Sequence, residues 1–144
     1  MKACDIMTPH PEVVTPEDRI SRAAQIMRDC DVGSIPVVKD SVSMSLMGMI
    51  TDRDIAVRHV AEAHGEDCSV ASHMSRGDIE TVGENDDVEA VMDAMRRREV
   101  RRIPVTDKSG KLVGVIAQAD IAVSDEIPQE EVADVVKSVS EPAR

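Results

Sequence analysis

Two stretches of the chain carry apolar residues at the i, i+3, i+4 and i+7 positions of an amphipathic helix. The two stripes consist of Ile20, Ala23, Ala24 and Met27 and of Val88, Val91, Met92 and Met95. Each position of the second stripe lies 68 residues after its counterpart, and the same offset separates Ile35-Pro36-Val37 from Ile103-Pro104-Val105. A fixed offset across helix-type and strand-type segments indicates an internal repeat.

Further matches follow each apolar segment at a slightly shorter offset. Gly48-Met49-Ile50 recurs as Gly114-Val115-Ile116, and Asp54-Ile55-Ala56 recurs as Asp120-Ile121-Ala122, both after 66 residues. The intervening loop is therefore two residues longer in the first copy. We predict the element order β-α-β-β-α twice, which places the chain in the α/β (α+β) class.

The predicted elements have defined bounds. The expected strands are Glu12–Val14, Ser34–Val38 and Met47–Ile50 in the first copy, and Glu80–Val82, Arg102–Thr106 and Leu112–Ile116 in the second. We expect Thr15 to cap the first long helix, with Pro16 in its first turn, and the matching helix to begin near Asn85 or Asp86. A second helix in each copy is expected to start near Thr51 and Ala117. Asp107-Lys108-Ser109-Gly110 has the composition of a hairpin turn.

These elements suggest two repeats, a linker and a tail. The expected boundaries are residues 1–62, 63–70, 71–126 and 127–144. A repeat of about 55 residues buries little surface alone, so we expect the two copies to pack through their sheets around a pseudo-twofold axis. In the tail, Val132, Val135, Val136 and Val139 form an apolar helical stripe that needs a partner surface. That surface is either the chain's own domain or a second subunit.

Composition excludes several functional classes. The chain of 144 residues has 42% hydrophobic residues, no Phe, Tyr or Trp, and a net charge of −11. Missing aromatic rings and excess negative charge argue against nucleic-acid binding. We find no apolar stretch long enough for a membrane span and no signal sequence. Three cysteines without a CxxC motif favour a reduced, cytoplasmic protein, with Cys30 expected in the core.

The junction Gly48-Met49-Ile50-Thr51-Asp52-Arg53-Asp54 is the main candidate for chemistry. Gly48 allows another backbone or a ligand to approach closely. The carboxylate of Asp54 at a strand-to-helix corner can accept hydrogen bonds from a vicinal diol such as a ribose, and the Thr51 hydroxyl can add another. The same spacing is also typical of a capping box. In the second copy Ala117 cannot cap, yet Asp120 remains, which weakens a purely capping interpretation.

A basic cluster precedes the second Ile-Pro-Val segment. Arginine is suited to bidentate phosphate contact. We interpret Arg96–Arg98 as cations at a helix C-terminus, where they complement the helix dipole. Arg102, and slightly less Arg101, are the candidates for phosphate binding, whereas the first copy has Gly33 and Ser34 at these positions.

Other chemistry is weakly indicated. His59 and His64 are five residues apart, which does not match an α-helical metal pair, and we interpret all four histidines as solvent-facing or structural, with no metal site. No Walker loop, GxSxG elbow or GxGxxG motif occurs, and no catalytic residues are predicted. Met7 and Met74, each at the start of a repeat, could flank a ligand.

The repeat, with its Ile-Pro-Val and Gly-x-Ile-Thr-Asp-Arg-Asp segments, resembles a tandem pair of CBS domains (a Bateman module) over about residues 1–126. The length is similar to that of small bacterial CBS-pair proteins of the hypoxic-response type. The resemblance implies adenosine ligands (AMP, ADP, ATP, NAD or S-adenosylmethionine) in clefts between the two copies. It also implies a homodimer.

The resemblance implies nucleotide-binding residues in both copies. In the first copy they are Ile35, Pro36, Thr51, Arg53 and Asp54; in the second they are Arg101, Arg102, Ile103, Pro104 and Asp120, with Met7 and Thr8 before the first strand. The first copy, which has the full ribose motif, lacks a basic residue before its Ile-Pro segment. The phosphate of a ligand there would be met by the second copy's arginines across the cleft, or by Arg53 and the helix N-terminus. We therefore predict two unequal sites, of which the Thr51/Asp54 site is tighter.

We hence expect a regulatory module rather than an enzyme, with an adenosine nucleotide as regulatory ligand and no catalytic cofactor. An effector protein would respond to the bound state. The alternative is a ligand-free scaffold for dimerisation or partner binding.

Overall fold

The chain forms two units, each built around one copy of the repeat. They are described by a computed structural model that covers residues 1–77 and 79–140. The central unit comprises Glu12–Ile79, and the terminal unit comprises Met1–Pro11 together with the chain from Glu80 onward. The mixture of helices and sheets confirms the predicted α/β class.

In the central unit the elements are α2 (Ile20–Cys30), β2 (Ser34–Val38), β3 (Leu46–Thr51), α3 (Asp52–Asp54), a π-helix (Ile55–Val60) and a 3-10 helix (Val70–Ser72). Strands β2 and β3 are antiparallel, with Ile35 opposite Ile50. Isolated bridges join Val14 to Val37 and Met49 to Ser75. The apolar face of α2 closes the core over these strands.

In the terminal unit the elements are α1 (Ala3–Ile6), β1 (Thr8–Pro9), β4 (Val82–Gly83), α4 (Val88–Arg98), β5 (Arg102–Thr106), β6 (Leu112–Ala117), α5 (Gln118–Ala122) and α6 (Gln129–Ser140). The sheet order is β1-β6-β5-β4, with β4 parallel to β5 and the other pairs antiparallel. Met92, Met95 and Ile116 are fully buried between α4 and this sheet. Methionine and branched aliphatic side chains thus fill a core that contains no aromatic ring.

Several sequence predictions are confirmed residue by residue. Strands β2 and β5 have the predicted bounds. Thr51 and Ala117 are the N-cap residues of α3 and α5. The carboxylate of Asp107 accepts hydrogen bonds from the backbone N–H groups of Ser109 and Lys111, which closes the predicted turn. These features depend on neighbouring residues in the chain, which is why local patterns predict them.

The predicted start of the first long helix is wrong. Helix α2 begins at Ile20, with Arg19 as its N-cap. The carboxylate of Asp18 accepts a hydrogen bond of 2.8 Å from the backbone N–H of Thr15, and the Asp18 N–H donates to the Thr15 carbonyl over 3.1 Å. The two bonds close a separate turn before the helix, so Thr15 does not cap it.

Two related predictions also need correction. Cys30 is exposed rather than buried. Helix α2 ends there because Asp31 takes a left-handed conformation, and Val32 packs against the core in its place. Helix α4 has Asp87 as its N-cap, because the carboxylate of Asp86 accepts a bond from the Gly83 N–H instead.

The tail helix α6 belongs to the terminal unit. Val132, Val135 and Val139 are buried in that unit's core, and Val136 packs at its edge. An ion pair of 3.3 Å between Arg96 and Asp134 joins α4 to α6. The predicted valine stripe is therefore covered by the chain's own domain.

The first residues of the chain pack with the second copy of the repeat. Thr8 pairs with Val115 and Pro9 with Gly114 in the sheet. The Ala3 N–H donates to the carbonyl of Asp86 over 2.8 Å. Within residues 1–77 and 79–140, no helix combines the length and the apolar character that crossing a membrane requires.

Candidate functional site

The junction of β3 and α3 is a reciprocal capping box. The Thr51 hydroxyl accepts a hydrogen bond of 3.0 Å from the Asp54 N–H, and the Asp54 carboxylate accepts one of 3.0 Å from the Thr51 N–H. The side chain of Asp54 is 13% exposed, and its Oδ1 lies 3.8 Å from Nε of Arg58. The capping interpretation of this motif is thus observed, with one carboxylate oxygen bound to backbone and the other close to Arg58.

The matching junction of β6 and α5 holds its carboxylate in the same way. Asp120 accepts a hydrogen bond of 2.7 Å from the Ala117 N–H, although Ala117 has no hydroxyl to return a bond. Its second oxygen bonds no group in the part of the chain that the structure describes. The position of the carboxylate therefore needs the backbone N–H but not the capping hydroxyl.

A second repeated feature is a backbone hydrogen bond from each junction to the residue just before the neighbouring strand, β2 or β5. The Asp52 N–H donates to the carbonyl of Gly33, and the Gln118 N–H donates to the carbonyl of Arg101 over 2.8 Å. Ser34 lies opposite Thr51, and Arg102 lies opposite Ala117. The two candidate arginines are thus held beside the start of α5, because Arg102 is the first residue of β5 and Arg101 directly precedes it.

The hydroxyl of Ser34 differs from the other polar groups of the central junction. Its oxygen is buried, and no group within residues 1–77 and 79–140 hydrogen-bonds to it. A buried polar atom without a partner is unfavourable by roughly 1–3 kcal/mol. Because Ser34 stands opposite Thr51 in the register, this unpaired oxygen lies on the strand beside the Thr51/Asp54 motif.

The Ile-Pro segments predicted to line the base are buried. Ile35 and Ile103 are 0% exposed and belong to the cores of their units. Pro36 and Pro104 are buried beside them. Since both isoleucine side chains are enclosed in the cores, these segments can offer a ligand chiefly their backbone.

The glycines of the two junction strands, Gly48 and Gly114, each pack against a methionine side chain. A Cβ atom at Gly48 would collide with the Met74 side chain and with the backbone carbonyl of Ser75. At Gly114 it would meet the side chain of Met7 and the Thr8 carbonyl. The close approach expected at Gly48 is therefore made by the chain's own backbone, and the two methionines occupy equivalent places in the two units.

The remaining arginines of the basic cluster have acidic partners. Arg96 pairs with Asp93 and with Asp134, and Arg97 and Arg98 pair with Glu80. All three lie in the last turn of α4, as predicted. Arg53 is exposed at the start of α3.

Sequence reasoning missed a cluster in the central unit. Nδ1 of His59 lies 3.1 Å from Nε2 of His73, and Cys68 lies beside them. His73 is buried, with its pKa lowered chiefly by desolvation and further by the neighbouring His59, His64 and Arg58 charges, against an opposing effect of Asp54. The sequence signal that could have found it is the local enrichment of metal-ligating residue types, because three histidines and a cysteine fall between residues 59 and 73.

Comparison with known proteins agrees with this architecture. The model of the CBS domain family matches residues 3–59 and 70–127. Hypoxic response protein 1 of Mycobacterium tuberculosis is 32% identical over 140 residues, which cover 97% of this chain and 94% of that protein.

Two solved structures are similar over most of the chain. The crystal structure of Hypoxic Response Protein I with two coordinated zinc ions has a TM-score of 0.77 and 31% sequence identity. The match covers 89% of this chain and 100% of the chain in that structure. The CBS domain pair of protein MJ0100, in complex with 5′-methylthioadenosine and S-adenosyl-L-methionine, has a TM-score of 0.73 and 26% identity over 85% of this chain and 93% of its own. With both repeats matched by the family model, the chain belongs to the CBS domain family, as a pair of CBS domains.

Proposed function

We propose that this CBS pair is a regulatory module that binds an adenosine-type nucleotide. The observation that carries the proposal is the repeated carboxylate, Asp54 in one unit and Asp120 in the other. Each is fixed by a backbone N–H at a strand-to-helix junction, and Asp120 is retained where a capping hydroxyl is absent. A carboxylate held in this way can accept hydrogen bonds from the two hydroxyls of a ribose.

The residues around each carboxylate support this assignment. In the central unit, Thr51 and Arg53 flank Asp54, and the unpaired hydroxyl of Ser34 stands on the neighbouring strand. In the terminal unit, Arg102 and Arg101 lie beside the Asp120 junction and form no ion pair with any residue in the described ranges. These arginines are therefore available for phosphate, to which a guanidinium binds bidentately.

Similarity to the MJ0100 pair supports the ligand class. That protein was solved with two ligands that both contain adenosine. The proposed ligand for this chain is accordingly AMP, ADP, ATP, NAD or S-adenosylmethionine, contacted by the backbones of Ile35-Pro36 and Ile103-Pro104 and by the Met7-Thr8 segment. We assign the protein a binding role without a catalytic step, and a regulatory signal requires that the ligand bind two states of the protein with different affinity.

The test is titration calorimetry of the full chain with each of the five ligands. Calorimetry suits a chain that has no Trp or Tyr to report binding by fluorescence. We expect micromolar or tighter binding of at least one ligand. Asp54→Asn retains an acceptor for the Thr51 N–H but removes the charge, so it should weaken that binding while the fold persists.

Asp125→Asn is the matched control, because it removes an exposed carboxylate outside both junctions. Equal nucleotide affinity in the Asp54 and Asp125 variants would show that Asp54 is not part of the binding site. Absence of heat with all five ligands, from protein that is folded by circular dichroism, would contradict nucleotide binding and favour the scaffold for dimerisation or partner binding.

A further inference from the structure

Three potential metal ligands converge in the central unit. His59 lies in the π-helix, and Cys68 and His73 lie before and after the 3-10 helix. One ligand atom each from His59, Cys68 and His73 lies within 4.8 Å of the other two. The closest pair is Nδ1 of His59 and Nε2 of His73, at 3.1 Å. Their burial is graded, since His73 is buried and the other two are half-buried.

The backbone explains why these residues meet. The helix changes from α to π winding at Ile55–Val60, and the His64 N–H continues the i→i+5 pattern by donating to the His59 carbonyl over 3.0 Å. This wider turn stacks the His59 and His64 rings with an interplanar angle of 19°. Residues five apart therefore share a face here, which α-helical spacing would not predict.

The other two ligands, Cys68 and His73, lie before and after the 3-10 helix. The Cys68 carbonyl accepts a hydrogen bond of 3.1 Å from the Ile20 N–H at the start of α2, and Cys68 packs against the core. His73 follows the 3-10 helix, and its N–H donates to the Val70 carbonyl over 3.0 Å. The intervening residues 61–67 are all exposed, so they can adjust without disturbing packed side chains.

The donor set and the distances suit one metal in particular. Imidazole nitrogen and thiolate sulfur are the usual protein ligands of Zn²⁺, at about 2.0–2.1 Å and 2.3 Å. On a tetrahedral ion these lengths separate ligand atoms by roughly 3.3–3.6 Å. The His59–His73 distance of 3.1 Å is already close to that value, and the upper limit of 4.8 Å requires a shift of only about 1 Å.

We propose that His59, Cys68 and His73 bind one Zn²⁺ ion per chain. The fourth position of the tetrahedron remains for water or for His64, whose ring centroid lies 5.1 Å from that of His73. Bound zinc cross-links the π-helix to the segment that follows the exposed residues 61–67, and so stabilises the central unit. This site uses none of the residues of the proposed nucleotide site.

The test uses the full chain, stripped with EDTA under reducing conditions, desalted and titrated with zinc sulfate against a chromophoric chelator. We expect one zinc ion per chain, with an affinity at least about 10-fold lower in Cys68→Ser and in His59→Ala. The matched controls Cys30→Ser and His10→Ala remove an exposed cysteine and an exposed histidine outside the cluster, and should bind zinc like the unmodified protein.

Cobalt(II) gives a second measurement, in which the spectrum of the unmodified protein itself reports a thiolate ligand. A tetrahedral thiolate site produces intense visible bands and a near-ultraviolet charge-transfer band, which is easily seen in a chain without Trp or Tyr. Cys68→Ser should abolish the charge-transfer band, and Cys30→Ser should retain it. A stoichiometry well below one, or equal affinity in the Cys68 and Cys30 variants, overturns the zinc site.

Discussion

The guanidinium of Arg58 donates a hydrogen bond of 3.2 Å to the backbone carbonyl of His73. The same guanidinium lies 3.8 Å from the carboxylate of Asp54. One side chain thus contacts both the capping carboxylate and the backbone of the histidine–cysteine cluster.

Arg58→Ala should destabilise the protein by about 1 kcal/mol. A charge-assisted hydrogen bond contributes more when buried, but this side chain is 52% exposed and solvent screens it. Urea unfolding followed by circular dichroism gives the free energy. Arg28→Ala is the control, because the Arg28–Asp29 pair is largely exposed, and it should show no measurable change. Equal midpoints for the two variants would argue against a structural role of the Arg58 contacts.

Gly48→Ala should lower the free energy of unfolding by about 1–3 kcal/mol, since the added methyl group collides with the Met74 side chain and the Ser75 backbone. The backbone of Gly48 is not in the left-handed region, so the cost reports the collision rather than strain. Gly65→Ala serves as the control because a Cβ there meets nothing within 4 Å. The thermal midpoints of both variants test this directly, and a Gly48 variant as stable as the Gly65 variant would contradict the close approach.

If the proposed nucleotide sites are unequal, the two aspartates should not contribute equally. Asp54→Ala removes the carboxylate of the full Thr51/Asp54 motif and should weaken the tighter binding event by about 1.5–3 kcal/mol, or roughly 10- to 150-fold. Asp120→Ala should affect the weaker event instead. Two-site fits of calorimetric data measure both effects, and the reverse order would show that the arginines of the second copy outweigh the ribose motif.

Val135→Ala in α6 should destabilise the terminal unit by at least about 1.5 kcal/mol, because it removes two buried carbon atoms and leaves a cavity. Val123→Ala provides the comparison, since Val123 is 78% exposed in the same unit. Chemical denaturation of both variants checks the difference. Identical stabilities would mean that α6 does not contribute to the folded core in solution.

Light scattering at micromolar concentration should give about twice the 15.6 kDa of the chain, as the general preference for twofold pairs and the family resemblance lead us to expect. A monomeric mass that persists on concentration would refute the homodimer. The stability measurements above should therefore be made at one fixed protein concentration.

Local pattern was sufficient where one neighbourhood decides the structure. Strands β2 and β5 and the helix starts at Thr51 and Ala117 were predictable, because the hydrophobic pattern and the repeat indicate the same residues, and Thr51 adds capping chemistry in the first copy. The start of α2 was not predictable, since Thr15 is a good capping residue by type, but its backbone N–H donates to the carboxylate of Asp18 in a separate turn. A competing local hydrogen bond of this kind leaves no separate signal in the hydrophobic pattern.

The histidine–cysteine cluster depends on information that spacing does not contain. Its geometry requires π winding after Ile55 and a return of the chain at Cys68, whose carbonyl is held by the Ile20 N–H, 48 residues away. The ribose motif shows the opposite case. Thr51 and Asp54 were identified from sequence, and their mutual hydrogen bonds are seen, but their role toward a ligand stays a prediction.

The pairing of Thr8 with Val115 has a consequence for the order in which the protein can form during synthesis. All strands and helices of the central unit have been synthesised once residue 79 has been made. The terminal unit must wait until its latest core residue, Val139, is available, and it needs the first eleven residues as well. The N-terminal segment therefore remains without its sheet partner until residue 115 has been made, and a fragment that began at the second repeat would expose the edge of β6 that this segment covers.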